Sequence, residues 1–396
     1  MKKDNLLFIL FSLFLLSFAI FGSLHRIARM QEEIPEGLNI TGVMMVLLEL
    51  ACLLVILRGP LRKIKGIYII AILWLLIIPV TLTFAEFALK ANLAYVVFWP
   101  LAFLASFYFV SRNVAFFTKM RKLFIVVFCI TGLLFLHARF TSSVDSLYQI
   151  NVIFFPLLAL PWIMLIKNNI IRNILISVLF LLVLLSLKRS SLLIIVIALI
   201  PYIFSYLNKR NKILGIVTMA FLLLLLGGSF YKINQKLDNT IIERFNSIEE
   251  DSGSGRLLIY KRVIDLQKSS SSYEWLFGHG HYGVKKDSIS QLSAHNDFLE
   301  ILYDYGIIIF ILHIFLCINV TKRLIRLRKE KSPLYYSYFS GFAIFLVMSM
   351  VSHLILYATY FIFLAIYWGA IEGIKYKQKI RISTDENTVS ISRIPF

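Results

Sequence analysis

Two short segments in the last third of the chain hold the side chains best suited to chemistry: Gly278-His279-Gly280-His281-Tyr282-Gly283 and Ser293-Ala294-His295-Asn296-Asp297. The second stands at the mouth of an apolar run, where Asp297 and Glu300 have the D-x-x-E spacing of a capping box. His295 then sits beside a helix N-terminus, whose positive end favours a neutral imidazole able to act as a base. Glu300 and Asp304 follow one and two turns into the same run, and ionisable groups inside a membrane span are functional by default. A second pattern is cationic. Lys188-Arg189-Ser190-Ser191 wedges two positive charges between apolar runs, a costly placement unless the pair meets an anion. Ser252-Gly253-Ser254-Gly255-Arg256 joins small residues to a guanidinium, as an anion-binding nest would, although the Gly/Ser pairs alone read as an ordinary loop and cap. Arg244 lies upstream of that stretch. The spacing of His279, His281 and His295 permits zinc, but no H-E-x-x-H or cysteine pair supports it, and neither metal nor cofactor is expected. Glu249-Glu250-Asp251 reads as a solvated acidic run.

The elements that must position these groups are membrane helices. Of the 396 residues 59% are hydrophobic and 16% charged, with a mean hydropathy of +0.79. Soluble globular chains have roughly 45–50% apolar and about 25% charged residues. A soluble multidomain protein, a disordered chain, a coiled coil and a secreted disulfide scaffold are therefore excluded. Cys52, Cys129 and Cys317 all fall inside apolar runs and carry no information about redox compartment.

The expected fold is all-α and polytopic, with about twelve spans of bilayer length at 6–24, 40–57, 67–86, 91–110, 122–137, 149–166, 170–187, 190–207, 212–230, 298–320, 334–352 and 354–372. The first reads as an uncleaved anchor. Residues 1–230 hold transmembrane helices 1–9, residues 231–297 one large extracytoplasmic loop, residues 298–376 transmembrane helices 10–12, and residues 377–396 a cytoplasmic tail. The formal charge of +19 supports this arrangement through its distribution. With both termini in the cytoplasm, the short outer loops hold only Arg26, Arg29, Lys90, Arg139, Lys188 and Arg189, while the inner segments are rich in Lys and Arg. The basic loops thus need no nucleic-acid partner; topology and contact with anionic lipid account for them. In the long loop, acidic and basic residues balance. Its Arg256–Lys268 stretch has the apolar spacing of an amphipathic helix. Ser269–Ser272 reads as a short flexible break, and the aromatic and glycine residues from Tyr273 to Gly283 as packed irregular structure.

Taken together, these pieces resemble the O-antigen polymerase and O-antigen ligase superfamily. The resemblance rests on Arg189-Ser190 opening a span, Ser254-Gly255-Arg256 at the head of the loop helix, Trp275-Leu276-Phe277-Gly278-His279-Gly280 after it, and Ala294-His295-Asn296-Asp297 running on to Gly306 and Ile307. The His-Asn-x9-Gly spacing is its specific part. It implies a membrane glycosyltransferase at the outer face of the bacterial cytoplasmic (inner) membrane. The donor would be a glycan on undecaprenyl pyrophosphate. A polymerase passes it to another lipid-linked repeat unit, a ligase to lipid A–core. Family ligases often have a small residue, Thr or Tyr three positions after that glycine; Ile309 stands there, which favours polymerase. The residue chemistry agrees. His295 is expected to be the base. Arg189 and Arg256 are expected to bind the pyrophosphate, with Arg244 and Lys188 as auxiliaries. Asn296 would orient the base or the acceptor, and Tyr282 and Trp275 would contact sugar. Membrane lipid and a chain-length regulator protein are the expected partners. A lipid-linked sugar flippase is the alternative of another class, but it calls for polar residues through many spans, and here they gather in one loop.

Overall fold

The structure is a computed structural model that describes residues 2–30, 40–59, 66–84, 93–141, 151–207, 256–288, 293–355 and 357–385. Among these residues it contains helices and turns and no strand. In chain order the helices are α1 (Lys2–Met30), α2 (Ile40–Leu57), α3 (Ile67–Phe84), α4 (Leu93–Arg112), α5 (Ala115–Thr141), α6 (Phe154–Leu158), α7 (Leu160–Ile163), α8 (Asn169–Leu185), α9 (Arg189–Leu207), α10 (Arg256–Ser269), α11 (Ser272–Phe277), α12 (Gly283–Asp287), α13 (Asp297–Lys329), α14 (Tyr335–Val351) and α15 (Ala358–Asp385). Six of them, α1 to α5 and α13, are long and apolar enough to cross a membrane. Helix is the form such segments take, because it satisfies every backbone donor and acceptor within the segment.

The expected span at 149–166 is different. A 3-10 turn over Asn151–Ile153 leads into α6 and α7, two short helices that break at Ala159 and are buried inside the bundle. α8, α9 and α14 are further apolar helices that are not among those six. The expected span at 212–230, the first part of the long loop, Arg244 and the residues from 386 onward lie outside the described residues.

α4 and α15 form the central pair. Close approach is possible because Gly369 and Gly373 are four apart on α15: a Cβ on Gly369 would lie 2.2 Å from Phe103 O of α4, and one on Gly373 2.9 Å from Phe107 O. Small residues at this spacing let membrane helices pack backbone to backbone, where dispersion replaces the missing hydrophobic drive. Around this pair sit large buried rings, among them Trp99, Trp162, Trp368, Phe103 and Tyr367.

Charged contacts mark one end of the bundle. Arg112 pairs with Asp4 at 3.0 Å, Arg323 pairs with Glu372, Lys375 reaches Glu330 at 2.8 Å, and Arg121 donates to Leu165 O at 2.8 Å. The opposite end gathers the C-terminus of α1, the turns between α8 and α9 and between α14 and α15, and the N-termini of α10 and α13. Those helix ends and turns build the site.

Candidate active site

The start of α13 differs from the expected capping box. Asn296 is the N-cap: its side-chain oxygen accepts from Phe298 N at 3.0 Å and Leu299 N at 3.3 Å. Asp297 is freed for a tertiary task and accepts the amides of Leu354 (3.0 and 3.2 Å) and Ile355 (3.1 Å), at the turn between α14 and α15. Glu300 Oε1 accepts from Ala294 N at 3.0 Å. One carboxylate thus fixes the His353 turn and the other the His295 turn. His295 has φ 54, the left-handed region that His enters more readily than most residues and that recurs at functional sites.

The long-loop motif docks on the same helix. His279 N donates to Tyr303 O at 3.0 Å and Gly280 N to Asp304 O at 2.7 Å, while the Asp304 carboxylate accepts from Tyr282 N at 2.9 Å and Val284 N at 3.0 Å. α13 is interrupted at Gly306 (φ 72, ψ -180), which opens the carbonyls that receive this loop. Asp304 is therefore accounted for by anchoring. The expected flexible break at Ser269–Ser272 is instead ordered: Ser271 and Glu274 form a capping box that opens α11.

The three loop histidines do not converge on one ion. His279 Nε2 meets Ser270 Oγ at 2.9 Å and its ring stacks on Tyr303 at 4.0 Å. His281 Nδ1 contacts the Tyr305 hydroxyl, and burial pushes its imidazole down to about 4. His295 faces His353, with ring centroids 4.6 Å apart. Asp297, Glu300 and His353 do bring ligand-type atoms within 4.8 Å of one another. However, Asp297 already accepts three backbone hydrogen bonds, and His353 Nδ1 lies 2.7 Å from Glu300 Oε2, in direct contact.

A cavity of about 90 Å³ lies where these helix ends and turns meet. It is lined by Arg26, Asn151, Phe154, Lys188, Arg256, His295, Ser352, His353, Tyr357 and Tyr360, which joins parts of the chain more than three hundred residues apart. Its walls are cationic and aromatic. The Arg26 guanidinium lies over Tyr360 at 4.5 Å and Tyr357 at 5.1 Å and donates to Thr359 Oγ1 at 3.3 Å. Lys188 Nζ donates to Asn151 Oδ1 at 2.7 Å; the sharp turn that presents it uses Leu187 at φ 54. Arg256 Nε is buried with no hydrogen-bond partner among the described residues. A buried guanidinium nitrogen left unsatisfied is expensive unless a ligand completes it. Burial holds His295 down at about 4, with His353, Arg256 and Lys188 adding to the effect. The imidazole is neutral as expected, but mainly through desolvation.

Of the residues singled out in the sequence, Lys188, Arg256 and His295 thus share one cavity. Arg189, the first residue of α9, is not among the lining residues. Asn296 caps α13 and also donates to Met350 O at 3.4 Å. Tyr282 sits at φ 64 with its ring 4.0 Å from that of His281, and burial raises its hydroxyl to about 12. Trp275 lies exposed on α11, away from the lining. Sequence reasoning missed Arg26, His353, Tyr357 and Tyr360. Arg26 carried a signal, as a cation on the sparsely charged side. His353 carried a weaker one, as a polar residue in the break between two apolar runs.

Residues 174–314 match the family model described as O-antigen ligase. The comparison with curated proteins gives no match. The family match supports, for this stretch, a resemblance to the O-antigen ligase and polymerase superfamily, whose members are membrane glycosyltransferase-like enzymes. The matched stretch includes Lys188, Arg189, Arg256 and His295. Arg26, His353, Tyr357 and Tyr360 lie beyond it.

Proposed function

We propose that this chain is a polysaccharide polymerase. It transfers a glycan from undecaprenyl pyrophosphate to the non-reducing end of another lipid-linked repeat unit of an O-antigen or capsule, at the extracytoplasmic face of the inner membrane. One observation carries the reading: a neutral imidazole, His295, opens on the same cavity as the cations of Arg26, Lys188 and Arg256.

The chemistry follows from those groups. Attack on the anomeric carbon requires loss of the acceptor hydroxyl's proton, and His295 takes it. Negative charge then grows on the departing pyrophosphate. Arg256, Lys188 and Arg26 neutralise it, doing what a divalent metal does in other glycosyl transfers. Arg189 and Arg244 are auxiliaries of this anion site, and Asn296 keeps the base in place through the N-cap. Tyr282 and Trp275 would meet sugar outside the cavity. Direct displacement predicts inversion at the anomeric carbon. A chain-length regulator would act on the polymer product.

The second reading is a ligase of the same chemistry, which the description of the matched family favours. Purified protein supplied with lipid-linked repeat units and no lipid A separates the two. Lengthening of the lipid-linked chain is the expected result. No lengthening, with transfer restored by lipid A–core, means a ligase. No transfer under either condition removes the enzyme reading and leaves the flippase.

A further inference from the structure

His353 lines the cavity beside His295, and the reaction above gives it nothing to do. Its surroundings are well defined. Glu300 Oε2 lies 2.7 Å from Nδ1, the His295 ring is at 4.6 Å and the Tyr357 ring at 5.2 Å. Asp297, which holds the two amides that follow His353, and the cations Lys188, Arg256 and Arg26 act on it electrostatically. Both ring nitrogens and Glu300 Oε2 are buried without an aligned hydrogen bond among the described residues, although Nδ1 and Oε2 are in contact. Glu300 itself is held from the other side by Ala294 N.

His295 is placed differently. Among the described residues no carboxylate pairs with it, and the charges that act on it are His353, Arg256 and Lys188. A proton taken by His295 therefore sits among cations. Beside it in the cavity lies the second imidazole, and behind that imidazole the buried Glu300 carboxyl. A base oriented and backed by a third group is the arrangement that supports proton abstraction elsewhere.

We propose that His353 and Glu300 form a proton-accepting pair that removes the proton drawn by His295 from the acceptor hydroxyl. This rests on the transferase reading above. In the step, the acceptor O–H bond breaks and its proton goes to His295. The acceptor oxygen bonds the anomeric carbon, and the bond from that carbon to the diphosphate oxygen breaks, its electron pair leaving with the diphosphate. His295 then passes the proton to Nε2 of His353, which gives its Nδ1 proton to the Glu300 carboxylate. After product release the proton returns by the same route and is lost to water, which restores the pair.

The test uses full-length protein in lipid nanodiscs, with lipid-linked repeat units from a strain lacking the gene as substrate and undecaprenyl diphosphate as the binding probe. His353→Ala and Glu300→Gln should each lower kcat by ~10- to 100-fold, within the range of acid–base effects. KM and undecaprenyl diphosphate affinity should stay within about threefold. The double variant should be no worse than His353→Ala alone, and added imidazole should restore part of its rate. Glu300→Gln keeps an acceptor for Ala294 N; His353→Ala leaves that contact intact and provides a second, independent variant. Wild-type kcat in His353→Ala, or a raised KM with kcat unchanged, would overturn the proposal. So would stoichiometric metal in the wild type that Glu300→Gln loses, since the cluster would then be a ligand set. Failure of the transferase reading shows separately, as His295→Ala retaining full activity.

Discussion

A Cβ built on Gly306 would lie 2.7 Å from the amide nitrogen of Gly278, and one built on Gly278 would lie 2.3 Å from Asp304 O. Both glycines have positive φ, 72 and 79. The interruption of α13 and the start of the histidine loop are thus pressed together backbone to backbone. This explains the nine-residue interval between Asn296 and Gly306: it sets the distance from the site's helix cap to the point where the loop must dock.

Gly306→Ala should therefore weaken the protein. The left-handed conformation costs a non-glycine residue about 1–3 kcal/mol, and the contact with Leu276 O, at 2.3 Å from the new Cβ, adds to it. A lower melting temperature in detergent and reduced chain elongation in cells are expected. An unchanged melting temperature would show that the loop does not dock on α13.

Acid should weaken the buried histidines' contribution to the fold before it protonates the base. His281, His295 and His353 are each held near 4, against a usual value of 6.5. Above about 6.5 they are neutral in both states and contribute no pH dependence. As pH falls from there towards 4, the unfolded chain takes up protons at these histidines that the folded site refuses, and their contribution to stability drops. The histidines' share should show as an acid shift of the melting temperature between pH 7 and pH 5 that is less destabilising in His281→Gln than in wild type, and the initial rate should show no inflection from His295 in that interval while the protein remains folded. An inflection near 6.5 that disappears in His295→Ala would contradict the buried, neutral imidazole.

The cations should act on donor binding and on the chemical step. Losing a hydrogen bond to a charged group costs about 1.5–3 kcal/mol, so Arg256→Ala and Lys188→Ala should each weaken undecaprenyl diphosphate binding by roughly 10- to 100-fold. Arg26→Ala should do the same although it lies outside the matched family segment. Arg256→Lys should also fall short, because a point charge replaces a planar fork. Calorimetry in nanodiscs would measure this; equal affinity across the set would remove the anion site.

Asp297 is expected to be a positioning residue. Asp297→Ala would leave the buried amides of Leu354 and Ile355 without their acceptor, at about 1–3 kcal/mol for each, and would release the turn carrying His353. Faster proteolysis between α14 and α15 is the expected signature. Protection equal to wild type would mean that the turn holds itself.

Much of this protein is determined by residue type and spacing alone. Apolar runs of bilayer length satisfy their backbone as helices, so six of the expected spans, the loop helix from Arg256 and the family resemblance could all be read from the chain. The sequence offered Arg189 and Arg256 as the chief cations and Lys188 as an auxiliary; in the cavity it is Lys188 and Arg256 that join His295, because the turn before α9 decides which neighbour faces inward. What lay beyond the sequence were the partners across the bundle. Asp297 and Glu300 look like a local capping box, yet their oxygens go to Leu354, Ile355, Ala294 and His353, since Asn296 had already capped the helix. Arg26 enters the site only because α1 ends beside the start of α15. Local hydrogen bonds and hydropathy decide where helices begin and end; only their packing decides which ends face one another, and the cavity belongs to that second choice.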